Sequence, residues 1–247
     1  MVPDGSEWGV ALAGNRWVSV PSRPLVLVPT GATEQHGPHL PLDTDSLIAT
    51  AVATEAARRL GGPVLVAPVL SYGASGEHQD FPGTVSIGRE ALAMVVVELA
   101  RSLSVWAGRI VFVNAHGGNA ATLGRAVARL RGEHHDVAWV PCQHRDGDAH
   151  AGRTETSLML HLVADRVDLV KATPGNTTPI GQLLPQLMEK GVRAVSPSGV
   201  LGDPAGASAL EGELIFEAIV SDVRHRLADG FIGHDGLLAI AAVGQPS

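Results

Sequence analysis

The stretch "GATEQHGPHLPLDTDS", Gly31 to Ser46, sets one Glu, two His and two Asp into sixteen residues punctuated by two prolines and two glycines. Glu34 and His36 are two apart, so in extended chain both side chains leave on the same side. Asp45 follows nine residues after His36, where an apolar helical pattern begins. A carboxylate there also suits the helix dipole, and Asp43 or Thr44 is placed to cap the helix. Two carboxylates and an imidazole are an N/O donor set that suits Zn, Mn or Fe(II) in a catalytic site, where one position stays open for water. A shared carboxylate could bridge two such ions about 3.5–4 Å apart.

Elements on either side must hold these residues. "PLVLVPT" (24–30) reads as a short buried strand, and "SLIATAVATEAARRL" (46–60) as a helix stopped by Gly61 and Gly62. Strands follow at 63–70, 109–115 and 137–141, and helices at 89–106, 119–133 and 154–167. This β-α alternation predicts an α/β fold whose mostly parallel sheet is covered by helices on both faces. The Pro-, Gly- and Ser-rich region 172–206 is expected to wrap the sheet end and carry one helix at 181–190. A long helix is expected over 209–230, with no element assigned to the tail from about 231. No repeat or linker divides residues 1–247, which read as a single domain.

In a doubly wound sheet, ligands bind beyond the carboxyl ends of the strands. The loop after the first strand carries Glu34, His36, His39, Asp43 and Asp45. The loop after the second carries Glu77, His78 and Asp80, "NAHGGN" after the third carries His116, and the loop after the fourth carries Asp148, His150 and Glu155. Taken singly, each has an ordinary structural reading: Asp45 as a cap, His116 as a satisfied core histidine, Glu77 as a solvated charge, Gly117-Gly118 as a tight turn. Their coincidence at one sheet end is what points to a site. His134, His135, His161, His225 and His234 fall on helices or the tail and read as structural or solvated. His144 is left unassigned. Cys142 follows a strand and is weighed as a nucleophile against a buried structural thiol.

Composition excludes several classes. A net charge of −7 argues against nucleic-acid and anionic-membrane partners. The lone cysteine permits no internal disulfide and fits a reducing, cytoplasmic setting. "MVPDGSEWGVALAGNRWV" lacks the pattern of a secretory leader, and no apolar run approaches the roughly 20 residues of a membrane span.

"GATEQHGPHLPLDTD", "EHQDFPGTVSIG", "NAHGGN" and "HAGRTETS" occur in order, and together they resemble the creatininase family. The longer stretches "LSYGASGEHQDFPGTVSIG", "GDAHAGRTETSLMLHL" and "GVRAVSPSGVLGDPAGA" are similar to the branch of that family that works in mycofactocin biosynthesis. The resemblance implies a three-layer α/β/α fold, a homo-oligomer up to a hexamer, and a metal-dependent hydrolase of C–N amide bonds with one or two divalent ions. Glu34, His36, Asp45 and His116 match the family's metal ligands, with Asp45 as the bridge. Creatininase itself has a further ligand Glu two residues after the histidine matching His116, where this chain has Gly118. Glu155 is the candidate to replace it, or else a general base, and His150 matches a histidine beside the substrate. His39, Glu77, His78, Gly117 and Gly118 are the candidate substrate contacts.

On the closer resemblance, the substrate is a modified precursor peptide that releases a C-terminal Val-Tyr-derived fragment. The alternatives are hydrolysis of a small cyclic amide or formamide in cofactor or nucleotide metabolism, and a non-catalytic metal-binding partner.

Overall fold

A computed structural model of the protein describes residues 10–144 and 146–240. The start of the stretch read as lacking a leader, and the end of the tail, lie outside these residues. Four parallel strands form the sheet: β1 (Leu25–Thr30), β2 (Val64–Val66), β3 (Arg109–Asn114) and β4 (Val137–Pro141), in the order β2-β1-β3-β4. The register pairs Leu25 with Val64 and Arg109, and Ile110 with Val137.

Side chains alternate across the sheet, as strand geometry requires. Leu27, Val111, Val113, Ala138 and Val140 face one apolar layer, built with α1 (Thr44–Leu60), α4 (Arg153–Val163) and α7 (Ala209–Asp229). Val26, Val28, Ile110, Phe112, Val137 and Trp139 face the other, built with α2 (Gly88–Leu103) and α3 (Ala120–Gly132). The result is the expected three-layer α/β/α arrangement. Among the described residues, no helix is long and apolar enough to cross a membrane.

Boundaries differ from expectation where local chemistry intervenes. The strand read at 63–70 pairs regularly only over Val64–Val66, because Pro29, on the side of β1 that faces it, has no N–H to donate. Its continuation still follows β1, with Ala67 N–H donating to the Leu27 carbonyl and Leu70 N–H to that of Pro29. Asp43 sits at the cap position of α1, but its side chain bonds no helical N–H. Its carboxylate instead pairs with Arg166 at 2.8 Å. Helix α5 (Ile180–Lys190) lies where expected and is followed by the one-turn α6 (Val192–Val195). The tail forms a small antiparallel hairpin, β5 (Phe231–Ile232) with β6 (Leu238–Ala239).

The strand order fixes where a site can form. The chain leaves β1 toward β2 on one side and later returns to place β3 on the other, so the β1/β3 boundary is the topological switch point, where the loops diverge and leave a crevice.

Candidate functional site

Loops from the carboxyl ends of the sheet converge on that crevice. Gly31 follows β1, and a Cβ there would lie 2.5 Å from the Ser46 backbone nitrogen. Its absence lets the first turn of α1 fold back against the strand end, which returns Asp45 to Glu34 and His36. From β3 comes His116, and from the start of α4 comes Glu155. Glu34, His36, Asp45 and His116 are all buried, while Glu155 is partly so.

Their distances are short and share one feature. His36 Nε2 lies 3.2 Å from Asp45 Oδ1 and 3.9 Å from Glu155 Oε2. His116 Nδ1 lies 3.3 Å from Glu34 Oε1 and 3.4 Å from Asp45 Oδ2. Yet Glu34 Oε1, Glu34 Oε2 and Asp45 Oδ2 are buried and accept no hydrogen bond. Buried carboxylate oxygens without partners are costly. Apart from the His36 Nε2–Asp45 Oδ1 hydrogen bond, these donor atoms crowd together without bonding to one another, which fits a shared cation between them. Two triads place such atoms within 4.8 Å of one another: Glu34, Asp45 and His116, and His36, Asp45 and Glu155. Asp45 belongs to both. A third triad is Glu34, His36 and His150.

Backbone carbonyls set the imidazole faces. His36 Nδ1 donates to the Glu34 carbonyl at 3.1 Å, which turns Nε2 toward Asp45. His116 Nε2 donates to the Ala74 carbonyl at 3.3 Å, which turns Nδ1 toward the carboxylates. Such outer hydrogen bonds are how proteins orient metal-binding histidines. Gly118 serves this arrangement, since a Cβ there would lie 2.5 Å from the Ala74 oxygen and 2.7 Å from Glu77 Oε1. The space beside His116 is thus taken by the half-buried Glu77 and not by a residue-118 side chain.

Charge follows the geometry. Burial opposes a charge on His36, but Asp45, Glu155 and Glu34 outweigh it and hold the imidazole up at about 10. His116 is likewise raised, against burial, by Glu34 and Asp45. Burial pushes Asp45 upward, and His36 and His116 more than reverse this, so it stays ionised. Burial raises the Glu155 carboxyl to about 7, against the pull of His36. Its Oε2 accepts from the Ala151 N–H at 2.6 Å. Burial, and then His36, push His150 well below its ordinary range, so it is neutral. His150 Nε2 donates to the Gln35 carbonyl at 2.8 Å, leaving a bare Nδ1 3.8 Å from Glu34 Oε1.

The cluster floors a cavity of about 930 Å³ that Glu34, His116 and His150 line. The sequence-expected residues Glu77, His78, Gly117 and Gly118 line it too, whereas His39 does not. His39 is buried behind α4 with Nε2 hydrogen-bonded to Thr156 Oγ1 at 2.9 Å. Asp148 holds the first turn of α4, accepting from Thr154 N–H at 3.0 Å. His144 lines a second cavity of about 730 Å³, which meets the first at Ala149, Ile180 and Leu201. Burial pushes the Cys142 thiol up, which keeps it protonated and unsuited to attack.

Sequence reasoning missed two amides. Asn119 accepts from Ala74 N–H (2.9 Å) and donates to the Gly31 carbonyl (3.0 Å), tying the loops after β1 and β2 to α3. Gln35, between two candidate ligands, bonds to groups on three separate segments. Neutral amides carry no local pattern. The only signal was the alternation that turns residue 35 away from Glu34 and His36.

Comparison with known proteins shows the family. Residues 17–227 match the creatininase family, described as creatinine amidohydrolase. The chain is 53% identical over 219 residues to the mycofactocin precursor peptide peptidase of Mycolicibacterium smegmatis, covering 87% of this chain and 89% of that protein. It superposes on a manganese form of creatininase with a TM-score of 0.72 at 30% identity, covering 89% and 97% of the two chains. A zinc–zinc form of a creatininase variant gives 0.72 at 29% identity, with the same coverage. By sequence and by structure, the chain belongs to the creatininase family of amidohydrolases.

Proposed function

We propose that this chain is a divalent-metal-dependent peptidase that cuts an amide bond in a modified precursor peptide of the mycofactocin type, releasing its C-terminal Val-Tyr-derived fragment. The observation that carries the reading is the set of buried, unpartnered carboxylate oxygens of Glu34, which lines the cavity, and of Asp45 beside it. Glu34, Asp45 and His116 would hold one ion, and His36, Asp45 and Glu155 a second. The N/O donors suit Zn, Mn or Fe(II). A bound divalent ion supplies a Lewis acid that polarises the scissile carbonyl and acidifies water.

The remaining proton work falls to the chain. His150 presents a neutral Nδ1 to the cluster, so it takes a proton from the attacking water. It returns that proton to the leaving nitrogen as the C–N bond breaks and the new C–O bond forms. Glu155 stays ionised beside a cation and keeps its Oε2 in place through the Ala151 N–H.

Size supports a peptide over a small cyclic amide or formamide. The main cavity is far larger than a small ring needs, and a second cavity adjoins it at Ala149, Ile180 and Leu201. The resemblance to the mycobacterial peptidase points the same way. A homo-oligomer, up to a hexamer, in the cytoplasm belongs to the same proposal. Trp17 and Val105, both highly exposed, are apolar surface that subunit contacts would cover.

The test is metal analysis of the purified protein, with mass spectrometry of precursor peptide and of cyclic amides before and after metal removal. The expected result is bound divalent metal and peptide cleavage that is lost on chelation and restored by metal. Cleavage that survives complete metal removal, or turnover of the cyclic amide alone, would overturn the reading.

A further inference from the structure

Backbone groups tell the two ends of the Gln35 side-chain amide apart. Its Oε1 accepts from the Gly37 N–H at 2.9 Å, and its Nε2 lies 3.2 Å from the Gly199 carbonyl oxygen. A backbone N–H can only donate and a carbonyl can only accept, so the amide cannot be turned over. Its Nε2 is therefore a donor, and it lies 2.8 Å from His78 Nδ1. It also lies 3.0 Å from His150 Nε2, but that nitrogen carries the proton donated to the Gln35 carbonyl and cannot accept, so His78 Nδ1 takes the second amide N–H and the His78 ring proton sits on Nε2.

No protein hydrogen bond occupies that Nε2–H among the described residues. It lies 3.5 Å from Glu34 Oε1, which remains unpartnered. His78 lines the cavity, and its ring centroid is 4.5 Å from that of His150. Gln35 thus acts on both rings from one residue. Its backbone carbonyl leaves His150 a bare Nδ1, and its side chain leaves His78 a free N–H. The loop carrying His78 is pinned in turn by Asn119 through Ala74 N–H.

We propose that Gln35 is a positioning residue that locks His78 as the Nε2–H tautomer, and that this N–H is the donor the chain offers to the carbonyl oxygen of the bond being cut. The second half rests on the hydrolase reading above; the first half does not. A donor fixed in a dry site before charge develops on that oxygen is worth more than one that must reorient.

Two measurements test the proposal. Long-range ¹H–¹⁵N NMR of zinc-loaded protein should show His78 protonated on Nε2, and Gln35→Glu should move that proton to Nδ1, because a carboxylate only accepts. His78 protonated on Nδ1 in the parent protein would overturn the tautomer assignment, even if no peptide were ever cleaved. His78→Gln keeps an N–H near the Nε2 position, whereas His78→Leu does not. With metal content equal, the Leu variant should lose roughly 10²–10³ in kcat with KM little changed, and the Gln variant should retain most of the rate. Equal rates in the two variants, both high or both low, would overturn the donor role.

Discussion

Asp45 is the residue on which the site turns, because its two oxygens face different partners. Oδ1 faces His36 and Oδ2 faces His116. Asp45→Ala is therefore expected to empty both triads, and metal analysis should show content falling to background. Helix α1 does not depend on this carboxylate for a cap, so full metal content in a weakly folded variant would contradict the bridging role. A second prediction concerns protons. Without metal, His36 is held up at about 10 and His116 is also raised, so both are charged at neutral pH. An imidazole must be deprotonated to bind a metal. Binding should thus release protons, and calorimetric heats should vary with the ionisation enthalpy of the buffer. Heats independent of buffer would show that these rings are not ligands. The same raised value makes the His36 charge stabilise the metal-free fold below its ordinary 6.5, and that stabilisation is lost as pH rises through about 10.

Helix α5 has two apolar sides with different duties. Leu183 and Leu187 pack inward with Phe81, Val192 and Leu201. Ile180, Leu184 and Met188 are exposed and line the cavity. Leu187→Ala should cost about 2–5 kcal/mol of stability by denaturant unfolding. Leu184→Ser should leave stability and metal content unchanged and raise KM for the peptide. Unchanged KM would remove α5 from the substrate wall. At this scale the sequence was most legible: short apolar runs and helical periodicity placed the four sheet strands and six of the helices within a few residues. It was least legible where a single atom decides, as at Pro29, or where strands are only two residues long, as in the hairpin after α7. The ligand-capable residues were legible because charge and imidazole are conspicuous at strand ends. Gln35 was not, because its meaning lies in groups up to 164 positions away in sequence, and His39, a candidate substrate contact by sequence, is hydrogen-bonded to Thr156 and does not line the cavity.

At the scale of the whole molecule, the order β2-β1-β3-β4 decides which loops meet, and no local pattern carries that order. The crevice it creates buries carboxylates whose oxygens lack partners, so the metal-free fold carries an unmet cost. Chelation should lower the melting temperature, and added metal should restore it. Saturation at about 1,000 times the dissociation constant corresponds to about 4 kcal/mol, or on the order of 10 °C for a chain of this size. A melting temperature indifferent to chelation would show that the cluster holds no ion. The most direct measurement is anomalous diffraction from crystals of the metal-loaded protein. Peaks are expected about 2.0–2.2 Å from the ligand atoms, one among Glu34, Asp45 and His116 and one among His36, Asp45 and Glu155, with an Asp45 oxygen bound to each. Metal density elsewhere, or none in contact with Asp45, would contradict the account.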